Sequence, residues 1–62
     1  MRFEVEVNNV PEKVEEYVVA RFSPETKSLW YWGSWADREQ AIEIGKLLGG
    51  IVVRRVADEE NH

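Results

Sequence analysis

Few side chains in this 62-residue sequence are suited to covalent or acid–base chemistry. The only histidine is His62, and cysteine is absent, which removes the usual general base and the usual thiolate nucleophile. Ser23, Ser28 and Ser34 therefore have no histidine placed to activate them. The acid pairs Glu15-Glu16 and Glu59-Glu60 are adjacent in sequence, which suits solvated charge better than paired catalytic carboxylates. Gly49-Gly50 follows a helical pattern instead of opening one, so it is not a phosphate-cradling loop. A metal site would have to be built wholly from carboxylates, and no loop spaces them for it. The expectation is a non-enzyme that needs no cofactor and no metal.

The chemistry that remains is recognition, and it is concentrated in Leu29-Trp30-Tyr31-Trp32-Gly33-Ser34-Trp35, which holds all three tryptophans. Alternation along a strand puts Leu29, Tyr31 and Trp35 on one face and Trp30 and Trp32 on the other. A domain this small has one core, so one of the two sets needs a second layer, a partner or a ligand to cover it. Indoles are enriched among the residues that dominate binding energy. Trp30 and Trp32 are accordingly the expected anchors, with Tyr17 and Arg21 of the preceding strand and Glu4 and Glu6 of the first strand completing a partner-binding set. Two other uses of the same aromatics are open. They can be buried within the core or between two copies in a homodimer, or they can stack bases of single-stranded nucleic acid. Stacking needs a basic groove, for which the sheet offers only Arg21, Arg54 and Arg55, and 12 acidic against 8 basic side chains leave a net charge of −4. Nucleic acid is therefore not the expected partner.

The elements that must position these residues follow from periodicity. Arg2 to Val7 alternates Phe3, Val5 and Val7 with Arg2, Glu4 and Glu6, the pattern of a strand with one wet face, suited to a sheet edge. Asn8-Asn9-Val10-Pro11 breaks it. Pro11 to Glu16 reads either as a short helix or as a backward extension of the next strand into a hairpin with the first, and the hairpin is preferred. Tyr17 to Phe22 is β-branched and aromatic, as a central strand should be, with Val18, Ala20 and Phe22 taken as the core set. Ser23 to Ser28 is turn chemistry, so an antiparallel hairpin to the aromatic strand is expected.

Asp37 to Leu48 is a helix: Asp37 serves as N-cap with Gln40 closing a capping box, and Ala41, Ile44, Gly45 and Leu48 form the buried stripe, bordered by Ile42 and Leu47. Gly45 on that stripe is read as a slot for an aromatic beneath it, and Gly49-Gly50 ends the helix. Ile51 to Val56 is the last strand.

These elements assemble into an α+β two-layer sandwich: a four-stranded, mainly antiparallel sheet (β-β-β-α-β) with one long helix on one face. The Tyr17 strand lies between the aromatic and last strands, and the first strand is added at an edge. A ferredoxin-like β-α-β-β-α-β order is the alternative if Pro11–Glu16 is helical. A helix of about 12 residues, roughly 18 Å long, shelters only one face, so the aromatic set away from it is expected to lie open. Residues 1–57 form a single domain, and residues 58–62 are expected to be a flexible acidic tail. No apolar run approaches the roughly 20 residues of a membrane span, and the charged N-terminus does not read as a signal peptide. A cytoplasmic location is expected.

The run from Tyr17-Val18-Val19-Ala20-Arg21 through Leu29–Trp35 to Gly49-Gly50-Ile51-Val52-Val53 resembles short proteins encoded by bacteriophages and prophages. The strand-strand-helix-strand layout is similar to that of small phage inhibitors of host RNA polymerase. The resemblance implies a small, non-enzymatic protein that blocks a host nucleic-acid-handling enzyme or defence complex, its acidic side chains meeting a basic site. It assigns no residue a role.

Overall fold

A computed structural model describes residues 2–56. Its elements are β1 (Arg2–Phe3), β2 (Tyr17–Ser23), β3 (Ser28–Trp35), α1 (Arg38–Leu48) and β4 (Ile51–Val56). They form a four-stranded sheet in the order β1-β4-β2-β3, with every ladder antiparallel, and one helix. This is the expected α+β arrangement: β2 lies between β3 and β4, and β1 is added at an edge. The tail expected for residues 58–62 lies outside the described residues.

The helix begins where its cap chemistry places it. Asp37 adopts an extended conformation, φ −93° and ψ 120°, and its carboxylate accepts a hydrogen bond from the Glu39 amide at 3.2 Å. That bond goes to Glu39 and not to Gln40, the residue expected to close a capping box. At the other end Gly49 is left-handed, φ 68°. The Gly50 amide donates to the Gly45 carbonyl at 2.8 Å and the Gly49 amide to Lys46 at 3.3 Å, the paired bonds of a Schellman stop.

Both faces of the sheet carry fully buried residues at its centre, which corrects the expectation that the face away from the helix lies open. On the helix side, Val52 lies opposite Val19 across the β4–β2 ladder, and its methyl stands 3.4 Å from where a Cβ on Gly45 would be. The glycine slot is therefore filled by valine, not by an aromatic. Val19 and Ala41 are fully buried here. On the other side Val18, Ala20 and Val53 are equally buried, with no helix above them. Val18 and Ala20 thus do not pack under α1, and Phe22, expected beside them in the core, is 59% exposed.

The N-terminal segment supplies this second cover. The Glu4 amide donates to the Arg54 carbonyl on β4 at 3.2 Å. Four residues later Asn8 pairs in parallel with β3, its amide donating to Leu29 at 2.8 Å and its carbonyl accepting from Tyr31 at 3.0 Å. One segment therefore touches both edges of a curled sheet, crossing its helix-free face. The chain returns through residues 9–16, where the Glu15 amide donates to Ser34 Oγ at 3.0 Å and Arg55 Nη1 donates to the Val14 carbonyl at 3.2 Å.

This route corrects three expectations. The first strand is two residues long, not six, because the chain leaves the ladder to cross; Val5 is left 46% exposed. Its ladder partner is β4, not β2, so the first two strands form no hairpin. Residues 11–16 are neither helix nor strand, which rules out the ferredoxin-like order. Asn9 makes the reversal in a left-handed conformation, φ 64°, which asparagine tolerates better than most residues.

Candidate interaction surface

The aromatic strand does not alternate as a regular strand would. β2 and β3 are in register from Tyr17↔Trp35 to Val19↔Gly33, then shift so that Ala20 faces Tyr31 and Arg21 faces Trp30. Trp32 is the extra residue of this bulge. Partners across a ladder share a face, so Trp30, Gly33 and Trp35 fall on the side of Arg21, Val19 and Tyr17, which is the helix side. Trp32 joins them, because its ring stacks on Trp35 with centroids 6.1 Å apart and planes 9° apart. The expected split, with Trp30 and Trp32 opposite Trp35, is thus corrected: all three indoles are on one face. Leu29 and Tyr31 lie on the other.

This face is only partly roofed. The helix rests mainly on β2 and β4 and reaches β3 least. At about 100° per residue, the inward stripe Ala41, Ile44, Gly45 and Leu48 divides the helix into two flanks. Arg38 and Ile42 are on the β4 flank, where they line a cleft with Glu4, Tyr17, Val52 and Arg54. Leu47 is then on the opposite flank, toward β3, while Glu43 faces outward with Glu39, Gln40 and Ile42. Leu47 is 81% exposed, Trp32 50% and Trp30 40%.

The exposed indoles are held in place. Trp30 Nε1 donates to Thr26 Oγ1 at 3.0 Å, and Thr26 is hydrogen-bonded to Ser28 Oγ at 2.7 Å. The polar edge of the ring is satisfied within the β2–β3 turn, which leaves its apolar face outward. Trp32 is steadied by Trp35, whose own ring lies over Gly33. Gly33 thus makes room for an indole, as a strand glycine beside aromatics suggests.

The six residues expected to form one partner-binding set do not converge. Trp30, Trp32 and Arg21 are together on the β3 side. Tyr17 and Glu4 lie across the helix in the β4-side cleft, where Glu4 and Arg54 approach to 3.9 Å with both side chains 55% exposed. Glu6 is on the opposite face, in a cleft of about 620 Å³ with Phe22, Leu29 and Ile51. Leu47 and Thr26 were not among the expected residues. Leu47 was visible only as a border of the helical stripe, and Thr26 as ordinary turn chemistry.

Asp58, Glu59 and Glu60 lie after the last strand, and residues 2–56 carry nine acidic and eight basic side chains. Among the described residues, no three His, Cys, Asp or Glu side chains converge as metal ligands. No described helix is long and apolar enough to cross a membrane. No protein-family model, curated protein or solved structure matches this chain significantly.

Proposed function

We propose that this chain is a non-enzymatic protein-interaction module acting in the cytoplasm, of the kind phages use to block a host nucleic-acid-handling or defence protein. It docks through Trp30, Trp32 and Leu47. The observation that carries the reading is that two indoles are fixed in position and yet remain 40% and 50% exposed. Fixed aromatic platforms lose little entropy on binding, which is what makes tryptophan an effective anchor. The exposed indoles supply the apolar part of the contact, and the net charge of −4 suits a basic site on the partner. The phage origin and the host target rest on the resemblance of the sequence alone.

The test is affinity capture from a bacterial lysate, followed by titration of the recovered protein. Trp32→Ala and Leu47→Glu should each weaken binding at least about 30-fold, the effect of losing a hot spot worth roughly 2 kcal/mol. Phe22→Ser, on the opposite face, should leave it unchanged. A partner that binds all three variants as it binds the wild type would refute this surface. Salt-sensitive quenching of tryptophan fluorescence by a single-stranded oligonucleotide would replace a protein partner with nucleic acid.

A further inference from the structure

We propose that the cleft between the start of α1 and the β1–β4 corner of the sheet binds a small phosphate monoester, its phosphate held by Arg38 and Arg54. The site lies on the flank of α1 away from Leu47 and is independent of the indole surface.

The sequence has five arginines and three lysines, and three of the arginines gather at this corner. Arg38 opens α1 and Arg54 lies on β4, and both line a cleft of about 380 Å³ with Glu4, Tyr17, Ile42 and Val52. Arg2 is the ladder partner of Val56, which faces as Arg54 does two residues earlier, so Arg2 stands at the outer rim on the same side. Among the described residues no lysine lines the cleft. The guanidinium fork is planar, permanently charged and matched to the oxygens of a phosphate, which lysine meets only as a point charge.

The charges in the cleft do not cancel. Glu4 is the only carboxylate among its described lining residues, and it approaches Arg54 to 3.9 Å with both side chains 55% exposed. That separation is too long for a hydrogen bond, so the pair leaves the donors of the Arg54 fork open to another acceptor. Asp37 and Glu39 flank Arg38 in sequence but line the outer helix surface with Gln40 and Glu43.

Shape narrows the ligand further. Tyr17 is the cross-strand partner of Arg54, and with Ile42 and Val52 it forms a half-buried wall, while both arginines are exposed at the mouth. The volume is near the lower end of the range of about 300–1,000 Å³ for ligand pockets, enough for a phosphate and one ring. A polyanion would meet the field of a chain with net charge −4. A single phosphate feels mainly the charges within about 8 Å, where the arginines dominate.

Titration of the full chain with inorganic phosphate, phenyl phosphate and benzoate, each to about 20 mM, followed by amide NMR shifts, tests this. Signals of Tyr17, Arg38 and Arg54 should move and saturate with both phosphates. Phenyl phosphate should bind several-fold more tightly than inorganic phosphate, and benzoate at least about tenfold more weakly than phenyl phosphate. Arg38→Gln and Arg54→Gln should each weaken phenyl phosphate at least about tenfold, with dispersed spectra confirming that they remain folded. Glu4→Gln removes the competing carboxylate and should tighten binding, a sign that loss of structure would not produce. No saturable shift would overturn the site, as would benzoate binding as well as phenyl phosphate, or a folded Arg54→Gln variant that binds unchanged. None of these outcomes bears on the indole surface, so the host-partner reading stands or falls separately.

Discussion

The indole of Trp35 lies against the backbone of Gly33, so that a Cβ on Gly33 would stand 2.9 Å from Cη2 and 3.0 Å from Cζ3 of the ring. Gly33 is what allows Trp35 to reach across the strand and stack on Trp32. Order in the exposed Trp32 ring therefore depends on a residue with no side chain.

Gly33→Ala opposes two effects of similar size. Alanine recovers about 0.5–1 kcal/mol of the entropy that glycine loses in a strand. Displacing Trp35 loses a stacked pair worth about 0.5–1.5 kcal/mol. The obstructing atoms are the far end of a half-buried side chain, which can swing away. Stability should therefore change by less than about 1 kcal/mol in urea unfolding, while the exciton signal of the stacked indoles in circular dichroism disappears. An intact couplet would mean that Trp35 does not rest on Gly33.

The two glycines that end the helix should respond in the opposite order to what their φ angles suggest. Gly49 is left-handed at φ 68°, but a Cβ there meets nothing within 4 Å, so Gly49→Ala should cost only about 1 kcal/mol. Gly50 has no such φ, yet its Cβ would stand 2.5 Å from the carbonyl oxygen of Ala20. That oxygen belongs to a fully buried residue of the central strand and cannot retreat. Gly50→Ala should therefore cost upwards of about 3 kcal/mol. Equal denaturation midpoints for the two variants would refute the close approach.

The sequence made the regular elements legible because each carried its own period. Asp37, the Ala41–Leu48 stripe and Gly49-Gly50 bounded the helix, and the β-branched runs marked β2 and β4. The aromatic strand was legible in extent but not in facing. Its bulge inverts the alternation between Tyr31 and Gly33; Gly33 is the residue type that marks such a bulge, but the change of facing arises from pairing with Val19 and Ala20, which the local sequence does not specify. The far cover was hidden for a related reason. Phe3, Val5 and Val7 alternate as a strand does, but alternation does not say which neighbour a strand takes or where it leaves the ladder. A crossing that satisfies its backbone at Glu4 on one edge and at Asn8 on the other is a tertiary event. Trp30 and Trp32 are exposed, as expected, but for a reason the structure replaces: they lie on the helix side of the sheet, not opposite it.

That crossing makes the N-terminal segment essential to the fold. Val18, Ala20 and Val53 are 0%, 0% and 2% exposed on the helix-free face, which the segment crosses between its bonds at Glu4 and Asn8. Burying a valine contributes about 1.5–3 kcal/mol, so uncovering two valines and an alanine forfeits several kcal/mol. A chain of this length holds only roughly 3–9 kcal/mol in total. Deleting residues 1–9 should therefore abolish cooperative urea unfolding and produce strong binding of a hydrophobic dye. Glu4→Ala separates this loss of cover from loss of charge. Its ion pair with Arg54 is long, 3.9 Å, and half exposed, so the variant should lose no more than about 0.5 kcal/mol. A truncated chain that unfolds at the wild-type midpoint would mean that the far face needs no cover, and the two-sided core described here would be wrong.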